Sequence, residues 1–178
     1  MNEALVGTVP LPATTQSEGF AELYERTFPR VYAYVASLLR DRSSAEDVTA
    51  QAFERAYRKR RSYRPARGSM DAWVFGIARN AALDELRKRK RRAVLEGDPE
   101  DSEAPAPEDE AEFSLRREAV RVALGSLDGQ ERDLIALKFA GGLSNGEIAR
   151  VLRMSESNVG TRLHRTITKL REACHDGS

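Results

Sequence analysis

Between Glu156 and Arg171 the chain can place two different chemistries on two sides of one helix. At about 100° per residue, Ser157, Asn158, Thr161, His164, Arg165 and Thr168 share one face, and Val159, Leu163, Thr166, Ile167 and Leu170 share the other. The first face carries hydrogen-bonding groups, one full charge and no large apolar residue, which is what a helix needs to read base edges in a major groove. Arg165 suits guanine through a bidentate pair, and His164 can bond a base as neutral imidazole or a phosphate when protonated. Ser157 and Asn158 stand near the helix start, within reach of bases or phosphate. A second cluster is cationic: Arg64, Arg67 and Arg79, then the run Arg87-Lys88-Arg89-Lys90-Arg91-Arg92. Six consecutive cations ending a helix imply a polyanion. Catalysis finds less support. Asp84 and Glu85 could hold a metal in a nucleic-acid enzyme, but adjacent helical residues diverge by about 100° and no third ligand is evident. His164, His175 and Cys174 cannot make a four-ligand zinc site. The residues therefore predict no catalytic activity, no metal and no cofactor.

The elements that must position these groups are helices. Ser144 and Glu147 form a capping box opening a short helix with Ile148, Ala149 and Leu152 on its apolar side; Arg153–Met154 makes a turn, and Ser155 caps the next helix, from about Glu156 to Arg171. Two capped helices joined by a short turn make a helix-turn-helix, the second being the recognition helix. Upstream, Phe113, Leu115, Ala119, Val120, Ala123 and Leu124 begin a helical unit, and Asp128 with Glu131 makes another capping box. Leu134, Ile135, Leu137 and Phe139 are expected to pack that helix, which Gly141–Gly142 stops. In the first half, Phe20, Leu23, Tyr24, Val31, Tyr34, Val35, Leu38 and Leu39 recur at helical spacing, with a break or kink expected near Phe28 because of Pro29. Ser43 with Glu46 predicts a capping box for a helix reaching about Lys59, on which Asp47, Gln51 and Glu54 form a polar stripe opposite Val48, Ala52 and Ala56. Pro65 and Gly68 predict a basic loop from Ser62 to Gly68. Ser69 then caps a helix from about Met70 to Arg92, with Asp71 in its first turn and Trp73, Val74, Ile77, Ala78 and Ala81 as its packing face.

Composition sets the bounds. The 178 residues, 40% hydrophobic and 32% charged, suit thin, helix-rich domains with large surfaces. The net charge of +1 conceals a partition. Residues 40–92 carry 16 Lys/Arg against 7 Asp/Glu, whereas residues 93–112 carry 9 acids and no base. Two basic blocks separated by an acidic one imply two nucleic-acid-facing modules and a tether that avoids the duplex. No run approaches the roughly 18 apolar residues of a membrane span, and the N-terminus lacks a basic head, so a cytoplasmic protein without membrane insertion is expected. The expected organisation is a disordered tail (1–16), a helical bundle (17–92), a flexible acidic, Pro-rich linker (93–112), a helix-turn-helix bundle (113–173) and a short tail (174–178). The fold class is all-α.

The helix-turn-helix LSNGEIARVLRMSESNVGTRLHRTITKL, with the lead-in SLDGQERDLIALKFAGG, resembles the promoter-reading module of bacterial sigma factors, above all the extracytoplasmic-function (ECF) group. Response regulators share the GLSNxEIA opening, so the upstream half decides. There, SSAEDVTAQAFERAYRK is similar to the sigma-factor helix that docks on a coiled coil of the RNA polymerase β′ subunit, and AW-x-x-x-IARN-x-x-LD-x-LR looks like the family's −10-recognition segment. The resemblance covers Phe20 to about Arg92 and Leu115 to Arg171. It implies core RNA polymerase (β′ coiled coil and β subunit) and promoter DNA as partners, and commonly an anti-sigma factor. It implies polymerase contacts at Asp47, Gln51 and Glu54. At the −10 element it implies base contact by Asn80, with Asp84 one turn later, Trp73 and Phe75 as supports for the separated strands, and Arg64, Arg67, Arg87 and Lys88 as cations. At the −35 element it implies reading by Ser157, Asn158, Thr161, His164 and Arg165. The linker would thread a polymerase channel.

Three positions depart from the family pattern. Arg153 stands where a turn glycine is usual, Gly160 interrupts the recognition helix in place of a longer polar residue, and Gly146 loosens the helix before it. Two rival readings remain alongside: a free-standing helix-turn-helix regulator that binds DNA without polymerase, and an adaptor that binds polymerase but not promoters.

Overall fold

The structure is a computed structural model that describes residues 14–96 and 111–176. Seven helices appear among these residues, without a strand: α1 (Thr14–Leu39), α2 (Arg42–Lys59), α3 (Met70–Glu96), α4 (Ala111–Gly125), α5 (Gly129–Ile135), α6 (Asn145–Leu152) and α7 (Glu156–Asp176). The all-α expectation holds. The expected disorder of the N-terminal tail and flexibility of the linker fall almost wholly on residues 1–13 and 97–110, outside the described residues. At the linker's edges, α3 runs four residues past Arg92 and α4 starts at Ala111.

Helices α1 to α3 pack mutually around Leu23, Val31, Val35, Leu38, Ala45, Val48, Ala52, Phe53, Val74 and Ala78. The alanines at 45, 52, 56, 78 and 82 are almost wholly buried, and their small side chains let helices approach closely. Pro29 does not break α1. It lies on the exposed side, where the carbonyl left without a donor can meet water. The cap of α2 is Asp41, whose carboxylate accepts the Ser44 N–H at 2.8 Å, rather than Ser43. A carboxylate at the first free N–H groups interacts more strongly than a hydroxyl two residues later. The loop expected from Ser62 to Gly68 contains two short 3₁₀ turns, Arg60–Ser62 and Pro65–Arg67.

Helices α4 to α7 form the second bundle, with Leu127, Leu134, Leu137, Leu143, Ile148, Val159 and Leu163 in its core. Both capping boxes form: Asp128 with Glu131, and Ser144 with Glu147. Helix α5 passes into a π-helical turn, Ala136–Ala140, which shifts the register of the residues beyond it. Phe139, expected in the core, is consequently 65% exposed.

The bundles also pack on each other. Helix α1 meets the π turn and α3 meets α6, so one continuous set of buried residues spans both. Phe75 sits wholly buried in this seam, edge-on to Tyr34 with ring centroids 5.6 Å apart. At Gly141 a Cβ would come within 2.9 Å of Phe75 Cε1 and 2.7 Å of the Leu137 carbonyl. A glycine there lets the two bundles close.

Candidate nucleic-acid interface

The polar face of α7, expected to read DNA, is assembled as its periodicity requires. Val159, Leu163 and Thr166 are buried, and Ser157, Asn158, Thr161, His164 and Arg165 are all exposed. Ser155 caps the helix, its hydroxyl accepting the Asn158 N–H at 3.2 Å. The Thr161 hydroxyl donates to the Ser157 carbonyl at 3.1 Å, so its methyl and an oxygen lone pair remain for a base. Between α6 and α7 the chain turns through Arg153 in the left-handed region, at φ 56° and ψ 49°. That conformation strains a residue with a Cβ, and it ends α6 in the tight turn that leads into α7, which packs against α6. Arg40, after α1, adopts φ 52° for the same kind of helix stop. Gly160 faces open space, a Cβ there meeting only Asn145 Nδ2 at 3.9 Å.

The second candidate face lies on α3 and the loop before it. Tyr63 braces the loop: its hydroxyl donates to the Gly68 carbonyl at 2.9 Å, and its ring lies 5.7 Å from that of Trp73. Ser69 caps α3 by accepting the Ala72 N–H at 3.2 Å. These contacts line an open cleft whose rim includes Arg64, Arg67, Trp73, Ile77 and Asn80. Asn80 is exposed, and Asp84 one turn on is exposed and paired with Arg87 at 2.9 Å. Arg64, Arg67 and Lys88 are exposed, with no ion pair among the described residues. Trp73, expected in the packing face, is only half-buried, and Ile77 likewise lines the cleft.

Three expectations about this cluster need correction. Phe75 cannot support separated strands here, because the seam encloses it completely. Arg79 is not a free cation: its Nε lies 2.7 Å from Asp133 Oδ2 across the seam. The basic run is not uniformly turned outward either. Arg89 folds back to donate to the Leu39 carbonyl at 2.9 Å and to Asp41 at 3.3 Å, pinning the α1–α2 turn.

The stripe on α2 is present as read, with Asp47, Gln51 and Glu54 all exposed and Glu54 paired with Arg58 at 2.6 Å. Sequence reasoning missed Tyr63, Asp133 and the far wall of the cleft, where Arg150 and Arg153 from the second bundle face α3. Asp133 left a trace: it stands one turn before Leu137 on an otherwise apolar face, and a carboxylate there demands a buried donor. The Arg150 wall left none, being a product of bundle packing.

Electrostatics tie the seam together. Burial opposes ionisation of Asp71, yet the guanidinium groups of Arg26 and Arg30, at 2.7 and 2.8 Å, outweigh it and hold the carboxyl below its usual range. Glu147 is similarly held down: burial acts against it, while the Ser69 hydroxyl and the Ser144 N–H and hydroxyl prevail. Tyr34 is pushed well up, first by burial and then by Asp133, so its hydroxyl stays protonated and donates to that carboxylate at 2.7 Å. No cluster of metal-ligating residues occurs among the described residues, and none of the described helices is long and apolar enough to cross a membrane.

Residues 23–92 match the family description "Sigma-70 region 2" and residues 117–170 match "Sigma-70, region 4". The chain is 31% identical over 165 residues to the ECF RNA polymerase sigma factor SigK of Mycobacterium tuberculosis, covering 89% of this chain and 87% of that one. It is 30% identical over 158 residues to the ECF RNA polymerase sigma factor BldN of Streptomyces coelicolor, covering 87% of this chain but spanning only 60% of that relative's length. Among solved structures, the sigma factor RpoE in complex with the anti-sigma factor NepR from Bartonella quintana superposes with a TM-score of 0.72 at 25% identity, covering 88% of this chain and 96% of that one. CnrH, in complex with the cytosolic domain of CnrY, shares the fold with a TM-score of 0.67 at 23% identity, covering 91% of each chain. With two modules in this order and a relative matched along nearly all its length, the chain belongs to the ECF RNA polymerase sigma factors, a family that directs transcription initiation.

Proposed function

We propose that this chain binds core RNA polymerase and brings it to promoters by reading two DNA elements in two physical states. The observation that carries the proposal is the pairing of an exposed polar face on α7 with an exposed, arginine-rimmed cleft holding Trp73 and Asn80. Helix α7 suits intact duplex at the −35 element. Thr161, His164 and Arg165 read base edges, while Ser157 and Asn158 meet bases or phosphate near the helix start. The cleft on α3 suits a melted strand at the −10 element. Arg64, Arg67, Arg87 and Lys88 hold phosphates, Trp73 offers its half-exposed ring to an unstacked base, and the two-way amide of Asn80 bonds that base, with Asp84 beside it. Asp47, Gln51 and Glu54 dock on the β′ coiled coil, where exposed charges set register and association rate more than affinity; the second bundle meets the β subunit.

The chain performs no catalysis in this reading, since the polymerase supplies the chemistry, and it works in the cytoplasm. RpoE is described in complex with the anti-sigma factor NepR, and CnrH in complex with the cytosolic domain of CnrY; a restraining anti-sigma partner is proposed for this chain too. The test is run-off transcription with purified core polymerase on a genomic fragment library, with and without the chain. Promoter-specific transcripts that require the chain are expected. Tight operator binding without polymerase, and no new transcripts with it, would identify a free-standing regulator instead.

A further inference from the structure

A groove of about 580 Å³ lies where the end of α1 meets α4, α5 and the π turn. Small-ligand sites commonly occupy roughly 300–1,000 Å³, so its size suits one small molecule. Much of its wall is apolar: Val122 and Leu124 of α4, Ile135 of α5, and Ala136 and Phe139 of the π turn. Val122 is 62% exposed and Phe139 65%. Two large apolar side chains are thus left in water at one concave site, an arrangement that marks a place where something binds.

The charged groups of the groove are all cations: Arg40, Arg121 and Arg132. Arg121 is held by Glu118 through two hydrogen bonds, at 2.9 and 2.7 Å. Arg40 and Arg132 have no carboxylate of their own among the described residues. Arg132 makes a single hydrogen bond there, from Nη2 to the Leu127 carbonyl at 3.0 Å, and its Nε is buried without an acceptor. Burial, and then the nearby charge of Arg40, hold this guanidinium below its usual range, with Asp128 only partly offsetting them. The Asp128 carboxylate is already engaged at the start of α5, accepting the Gln130 and Glu131 N–H groups at 2.8 Å. A desolvated cation that lacks acceptors and faces a second cation is costly. An anion bound beside both would relieve the repulsion and supply the acceptors.

We propose that this groove binds a small amphipathic anion, its phosphate, sulfonate or carboxylate head against Arg40 and Arg132 and its apolar body covering Phe139 and Val122. Apolar walls alone would accept any oily molecule; the two uncompensated guanidinium groups select an anionic one. None of the residues proposed to meet DNA or the β′ coiled coil lines the groove, so the site stands apart from the promoter reading. Its parts are distant in the chain, Ser37 and Arg40 at the end of α1 and the others on α4, α5 and the π turn. A bound molecule adds contacts to the folded chain alone and raises its stability by mass action.

The test is titration calorimetry on the full chain with decyl phosphate, kept below the concentration at which it forms micelles, beside decanol and inorganic phosphate. Decyl phosphate is expected to bind once per chain, about ten-fold or more tighter than either of the others, and to raise the melting temperature. Arg40 is exposed and sits at φ 52°, a left-handed backbone that asparagine tolerates. Arg40→Asn is therefore expected to keep the helical signal and the ligand-free melting temperature while weakening decyl phosphate about ten-fold; Arg40→Lys should restore much of the loss. Phe139→Ser, at an exposed position, should weaken it roughly five-fold. Equal binding of decanol and decyl phosphate, unchanged in Arg40→Asn, would overturn the anion site, as would uptake of many equivalents insensitive to both variants. Sedimentation with phosphatidylglycerol vesicles that depends on Arg40 would place the anion in a bilayer and overturn the assignment to a free molecule. Failure to bind decyl phosphate, with Phe139→Ser instead weakening association with core polymerase, would give the groove to a protein partner and overturn the proposal.

Discussion

The two regions proposed to face DNA are built on opposite plans. Helix α7 carries its proposed reading face alone: one side is buried in its own bundle, the other is exposed, and no residue of that polar face is drawn into the seam. The α3 region shares its residues with the seam. Trp73 and Asn80 stay at the cleft, Arg79 pairs across it, and Phe75 vanishes into it. A helix entering a major groove needs one polar stripe and a rigid back. A cleft for an extruded base needs several walls, and in the closed chain one of them comes from the other bundle. The proposed duplex reader is therefore self-contained, whereas the proposed strand holder depends on tertiary arrangement.

The strongest way to break this contrast is at the seam. Phe75→Ala removes a fully buried ring that touches both bundles and is expected to cost about 3–5 kcal/mol of stability, measured by denaturant unfolding. A cost confined to the first bundle, with the bundle separation unchanged, would show that the seam does not depend on the ring. Arg165→Ala probes the self-contained face. It is expected to weaken promoter binding by about 1–3 kcal/mol and to relax preference at one base position. Uniform weakening across all sequences would make Arg165 a phosphate contact. Arg153→Gly relieves the left-handed residue that ends α6 and is expected to stabilise the chain by up to about 1 kcal/mol, read as a higher melting temperature with base preference unchanged.

Acid offers a gentler probe. Asp71 and Glu147 are both depressed in the folded chain. Groups of this kind contribute stability that is present above the unfolded carboxyl range near 4 and is lost as pH falls through the lower folded values. Acidification below about pH 4 should therefore loosen the links at Ser69 and Arg30. The separation between the bundles should rise before the far-ultraviolet helical signal falls. Simultaneous loss of both would place these carboxylates in the general fold rather than at the seam.

Much of the architecture was legible because it depends on local rules. The capping boxes at Ser144 and Asp128 appear as read, since a hydroxyl or carboxylate three residues before Glu satisfies free N–H groups with nearby atoms alone. The buried and exposed faces of α7 follow from helical period. The misreadings have equally particular causes. Ser43 lost the cap of α2 to Asp41, a stronger acceptor two residues earlier. Phe139 turned outward because the π turn shifts the register beyond Ala136, which a fixed period cannot anticipate. Phe75 and Arg79 look like DNA-facing groups on a basic helix, and only the docking of α5 and the π turn shows that they are engaged elsewhere.

The amino-acid order by itself determined the helices, their caps, the two basic modules and the face of α7, because each of these is decided within a few residues along the chain. Only the tertiary structure decided which cations of α3 remain available and which aromatic is enclosed. Those outcomes depend on partners far away in sequence: Asp133 lies 54 residues from Arg79 and 99 from Tyr34. A charge or a ring acquires its role from whatever packs against it, and a periodicity carries no information about that neighbour.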